Sequence, residues 1–298
     1  MSEMFRGKAV IPGLAEIFRQ IYLVPCEENE ENYKRVVGSG IQPEDKSLGH
    51  FIMDERDVCE KIATPAGDVT AVTLHQRQDF ETLCRCITHD YSGKPLPATM
   101  GAIHIRKIVT WAPIEAHKAA FKKEHPEAGE EAWKQEFRLF TADKRNYQRT
   151  LIILSVGPYS AVSAERAGFP EEEWIRLSHE IRKYHECTHF VCKEMFPEEV
   201  DAIWDELVAD AVGIYAALGR FDQRLEEIFL GIEDGKNGDG GRLINYLKDE
   251  EMEKRGEIAG RARNVLEKFG SAAAPGLEPL VLAIELEKHH REWGAGLS

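Results

Sequence analysis

Two histidines four residues apart carry the most pointed chemistry in this chain. The segment His185-Glu186-Cys187-Thr188-His189 reads HExxH. On a helix, residues i and i+4 share a face, about 6 Å apart along the axis. Two imidazoles so spaced can converge on one metal ion, about 2.0–2.1 Å from each nitrogen. Glu186 follows the first histidine directly, so its side chain lies beside such an ion without being aimed at it. A general base that takes a proton from metal-bound water belongs at that position. The competing reading is a pair of surface histidines on an amphipathic helix. The uncharged Cys187 and Thr188 and the apolar Phe190 and Val191 weigh against it.

A second helical stretch supplies the missing ligand. Glu206 lies 17 residues beyond His189, a helix–turn–helix distance. It completes a His₂Glu set and leaves a fourth position for water, as catalytic zinc sites do. Asp210, four residues on, shares the Glu206 face. A carboxylate there can accept the free N–H of a ligating histidine and fix its tautomer, with His185 the expected partner. The competing reading for Glu206 and Asp210 is an ordinary helix-surface ion-pairing set. Asp201 and Asp205 are rival ligands, the first a turn too early and the second off the face. Cys192 shares the histidine face. Three ligands along one straight helix span about 10 Å, too far for one tetrahedral ion, so Cys192 reads as packing.

These residues need two helices to hold them. The first is expected over Phe169–Phe196, with Pro170 in the opening turn, Glu171, Glu172 and Glu173 at the positive end of the dipole, and Pro197 as the stop. Its buried stripe reads Trp174, Leu177, Ile181, Tyr184, Thr188, Val191 and Met195. The second is expected over Glu198–Gly219, with a broad apolar face from Val200 to Leu218. Gly213 on the Glu206 and Asp210 face would admit another helix at close range.

Elsewhere the patterns are shorter. Residues 1–37 read as helical with a break at Pro25, and residues 38–67 as mixed and loop-rich. Strands are expected at Asp68–Leu74, Ala102–Trp111 and Thr150–Val156, and a helix at Arg77–Asp90. Ser92–Pro97 reads as a loop. Residues 113–142 read as charged helix broken at Pro126–Gly129. From Pro170 onward the pattern is nearly all helix, with loops at Glu233–Gly241 and Ser271–Pro279. The fold class is therefore α+β: a small mixed sheet from the N-terminal half and a mainly helical C-terminal half. The division falls at residues 1–149, a region whose role is not legible, and 150–298, which carries the metal residues, as two regions or one continuous domain.

Bulk properties bound the function. The chain has 298 residues, 43% hydrophobic and 30% charged, with a net charge of −14. An acidic chain without a basic patch argues against nucleic acid as a partner. No apolar run approaches the roughly 20 residues a membrane span requires. Glu16, Arg19 and Gln20 interrupt the N-terminal apolar stretch, so no secretory signal is expected and the location reads as cytoplasmic. Six cysteines without a CxxC pair read as reduced, buried thiols.

HECTH followed by ELVAD resembles the gluzincin branch of zinc metallopeptidases, whose pattern is HExxH and later ExxxD. The match spans about 30 residues, Tyr184 to Gly213. The resemblance implies a zincin-like C-terminal half, that His185, His189 and Glu206 bind Zn²⁺, that Glu186 is the general base, and that Asp210 orients a ligand. It also implies an edge strand that pairs with extended substrate, for which Thr150–Val156 is the candidate. A transition-state donor beyond the third ligand has Tyr215, Arg242 and Tyr246 as loose candidates. The expected function is a zinc-dependent hydrolase, a metallopeptidase acting on a peptide or small amide. Two other functions compete: a non-catalytic protein stapled by structural zinc, and a zinc hydrolase of a non-peptide amide or ester.

Overall fold

The computed structural model describes residues 2–92, 94–97, 99–197, 201–233, 236, 240–294 and 297. The chain forms two compact units. One comprises Met1–Lys61, Thr70–Leu96 and His104–Ile153; the other comprises Ile62–Val69, Pro97–Ile103 and Leu154–Ser298. The class is α+β, with one mixed five-stranded sheet in the N-terminal half.

The strands are β1 (Ser2–Arg6), β2 (Val58–Thr64), β3 (Gly67–Leu74), β4 (Ala102–Val109) and β5 (Gln148–Ser155), in the order β1-β2-β3-β5-β4. β5 therefore lies between β3 and β4, which corrects its expected place at an edge. The physical reason is in its own residues. Leu151, Ile152, Ile153 and Leu154 are fully buried, so both faces of the strand are covered. An unbroken apolar run suits an interior strand, whereas an edge strand must tolerate solvent.

The helical reading of residues 1–37 needs a second correction. Ser2–Arg6 is a strand, antiparallel to β2 with Ser2 opposite Lys61 and Arg6 opposite Val58. Its partner lies more than fifty residues away, in the segment expected to be loop-rich, so no local periodicity announces either strand. Short helical pieces follow, among them Val10–Ile17 and a π-helical turn at Lys34–Gly38. The charged stretch forms two helices, Ala112–Glu124 and Glu130–Ala142. None of the six cysteines is in a disulfide. Among the described residues no helix is long and apolar enough to cross a membrane.

The second unit is built on two helices, which we call the histidine helix (Glu171–Met195) and the carboxylate helix (Ala202–Leu218). The start expected at Glu198 falls partly on residues 198–200, outside the described residues. The helix Pro279–Glu287 packs against both. Trp174, Leu177 and Ile181 from the histidine helix meet Ile214, Leu225 and Phe229 in one buried cluster. Met195, expected in the stripe, is 42% exposed at the helix end.

Gly213 sets the spacing of the two helices. A Cβ there would stand 2.6 Å from the Ile181 carbonyl oxygen, backbone that cannot yield without moving a helix. Gly260, inside the helix Arg255–Ala272, has no atom within 4 Å of its Cβ position. The same substitution should therefore have opposite signs at the two places. Gly260→Ala should gain up to about 1 kcal/mol from helix propensity. Gly213→Ala should lose about 1–2 kcal/mol, because overpacking outweighs that gain. Denaturant unfolding of the two variants reads the difference, and equal effects would discount the close approach.

Candidate metal centre

The carboxylate helix starts where its cap fixes it. The Asp201 carboxylate accepts from the backbone N–H of Ile203 (2.8 Å) and of Trp204 (3.1 Å). Such caps satisfy helix-end donors that would otherwise be unpaired. Asp201 is thereby committed as a cap. The start also sets the helix phase, which turns Glu206 and Asp210 toward the histidine helix.

Three side chains meet there. His185 Nε2 and His189 Nε2 are 3.0 Å apart. Glu206 Oε2 is 3.6 Å from His185 Nε2, and Glu206 Oε1 is 3.6 Å from His189 Nε2. Ligands on a tetrahedral zinc with bonds of about 2.0–2.1 Å are separated by about 3.3 Å. The observed separations bracket that value. Both histidines are buried, and the Glu206 side chain is 19% exposed.

Each histidine is held from behind by a carboxylate. His185 Nδ1 lies 2.9 Å from Asp210 Oδ1, and His189 Nδ1 lies 3.1 Å from Asp205 Oδ2. A carboxylate at Nδ1 calls for the proton on that nitrogen, which leaves the lone pair on Nε2. Two lone pairs facing each other at 3.0 Å repel unless a cation lies with them. The donor set thus fits a divalent ion such as zinc, or a proton in its stead. Burial alone would lower the His189 pKa, but Asp205, then Glu206 and Glu186, outweigh it and raise it to about 9. Asp205, which burial would raise, is held at about 2 by His189 and Lys193. The sequence reading set Asp205 aside as off the face. Its carboxylate lies on the Nδ1 side of His189 and pairs with Lys193 at 3.5 Å.

Asp210 belongs to a larger buried network. Tyr159 Oη donates to Asp210 Oδ1 at 2.7 Å and lies 2.9 Å from His185 Nδ1. Arg242 donates to Asp210 Oδ2, and to Tyr159 Oη at 3.2 Å. Burial pushes the Asp210 carboxyl upward, yet Arg242 and His185 hold it well below the usual carboxylate range. Tyr159 keeps its proton, chiefly because it is buried. Sequence reasoning missed Tyr159. Its only local signal is its place just after the Gly157–Pro158 turn that ends β5. The histidine helix fixes that turn: Arg182 donates to the carbonyls of Ser155 (2.9 Å) and Pro158 (3.0 Å), and Ser178 Oγ accepts the Tyr159 N–H (2.9 Å).

The remaining candidates separate cleanly. Tyr246 Oη donates to Glu206 Oε2 at 2.8 Å. Tyr215 Oη donates to the Ala274 carbonyl (2.7 Å) and accepts from the Leu277 N–H (2.9 Å), so it ties the carboxylate helix to the loop before Pro279 and takes no part in the centre. Cys192 is buried with its thiol pKa raised, first by burial and then by Glu287. Glu186 is 9% exposed and follows His185 on the histidine helix.

Another cluster, Asp54, Asp57 and His75, also brings metal-type donors together. Its carboxylates are already satisfied. Asp54 pairs with Arg56 and Gln76, each at 2.7 Å, and Asp57 accepts from the backbone N–H of His75 (2.9 Å) and Asp54 (3.2 Å).

A family model described as a family of unknown function, DUF7005, matches residues 25–289, a stretch that includes every residue of the centre. No curated protein and no solved structure matches the chain. With nearly its whole length covered by that one model, the chain belongs to DUF7005.

Proposed function

We propose that the protein is a zinc-dependent hydrolase, and within that class a peptidase acting on a peptide or small amide. The observation that carries the reading is one juxtaposition. His185, His189 and Glu206 present three donors to a single point, with the buried Glu186 next to His185 on the same helix. Three protein donors leave a coordination position open, which distinguishes catalytic from structural zinc. Bound zinc supplies a Lewis acid that polarises a carbonyl and brings the pKa of its water to about 7.

The chain's own residues supply the rest. Glu186 accepts the proton from the attacking water and returns it to the leaving amine. Asp210 and Asp205 keep each imidazole in the tautomer with Nε2 free. Tyr159 and Arg242 hold Asp210 in place.

Elemental analysis of the purified chain tests the reading first, with about one zinc per chain expected. Incubation with a peptide library should then give cleavage that a chelator stops and added zinc restores. Absence of bound metal sinks the proposal. Metal with turnover of esters or small amides, and none of peptides, moves the activity to another hydrolase class.

A further inference from the structure

Two pairs of side chains face each other at matched spacing. Glu206 and Asp210 are one helical turn apart on the carboxylate helix. Arg242 and Tyr246 are likewise four residues apart, at the two ends of a short 3₁₀ turn over Leu243–Tyr246. Arg242 donates to Asp210 Oδ2, and Tyr246 donates to Glu206 Oε2 at 2.8 Å.

The turn is itself held firmly. The Arg242 N–H donates to the Phe229 carbonyl at 2.9 Å, and the Asn245 N–H to the Arg242 carbonyl at 2.9 Å. Leu243 is fully buried. Gly241 sits so close to Gly231 that a Cβ would come within 2.1 Å of its nitrogen. The phenol of Tyr246 therefore arrives at Glu206 on an anchored backbone.

We propose that Tyr246 is a positioning residue for the metal centre. Its phenol secures Glu206 through Oε2 and leaves Oε1, which among the described residues accepts no hydrogen bond, as the oxygen that meets the ion. The inference rests on the metal reading given above. A carboxylate without such a donor is free to rotate and to offer both oxygens. Loss of an outer partner of this kind typically costs 10–100-fold in metal affinity.

Cobalt(II) titration of the metal-free full-length chain tests this, read by visible absorption and by chelator competition. Tyr246→Phe should bind cobalt about 10–100-fold more weakly. Its visible bands should lose intensity, as the released carboxylate raises the coordination number. Tyr246→Gln, which retains a donor, should fall between Tyr246→Phe and the wild type. Tyr215→Phe is the structural control: it loses two hydrogen bonds elsewhere in the same unit and should leave the spectrum unmoved. Wild-type affinity and spectrum in Tyr246→Phe overturn the assignment, as does an equal change in Tyr215→Phe. A wild-type chain that takes up no cobalt overturns the metal reading, and this inference with it.

Discussion

Glu186→Gln is expected to keep its metal and to lose turnover by about 10²–10⁴-fold, the usual contribution of a positioned general base. That corresponds to about 3–5.5 kcal/mol of barrier. The amide preserves the shape of the side chain and removes its ability to take a proton. Glu186 is buried beside the ligands and is not one of the three converging donors, so the ion should remain at wild-type stoichiometry. His185→Ala is the contrasting variant. It deletes a donor whose Nε2 stands 3.0 Å from that of His189, and the metal should be lost with the activity. Elemental analysis and turnover measured on the same preparations separate the two. Full activity in Glu186→Gln would transfer the base role to another group, and metal retained in His185→Ala would put the ion elsewhere.

Asp210→Ala should destabilise the metal-free protein by about 3 kcal/mol. Breaking a buried ion pair by removing one partner costs about 3–5 kcal/mol, because the other charge is left uncompensated. Asp210 is fully buried, while 16% of the Arg242 side chain is exposed, which places the expected loss at the low end. The variant also removes the acceptor of the Tyr159 hydroxyl and of the His185 Nδ1 proton. Asp210→Asn should lose less, since an acceptor oxygen remains. Adding Arg242→Met to Asp210→Asn should recover part of the loss, because no charge is then stranded. Urea unfolding with chelator present isolates this effect from metal binding. A loss below about 1 kcal/mol would mean that water, and not the protein, solvates the pair.

The lines of chemistry that reach Asp210 show where sequence reading stops. That Glu206 and Asp210 share a helix face follows from 3.6 residues per turn, as does the pairing of His185 with His189. Tyr159, Arg242 and Tyr246 have no such relation to the motif. They come to it from 26 and more residues away, through a turn clamped by Arg182 and a turn seated on Gly231. Asp205 is legible as a residue off the ligand face, and its place behind His189 is not, because a ring reaches outward from Nδ1 as well as inward from Nε2. The sheet divides in the same manner. β3, β4 and β5 carry their pattern locally, whereas β1 exists as a strand through its pairing with β2.

By itself the sequence determined the two site helices and the faces on which His185, His189, Glu206 and Asp210 stand. These are consequences of backbone periodicity, which acts within a few turns. Only the tertiary structure decided which side chains stand behind the ligands, that β5 is an interior strand, and that Arg242 and Tyr246 meet two carboxylates at once. Those relations depend on the path of the chain between elements, which is set by the burial of all of them together.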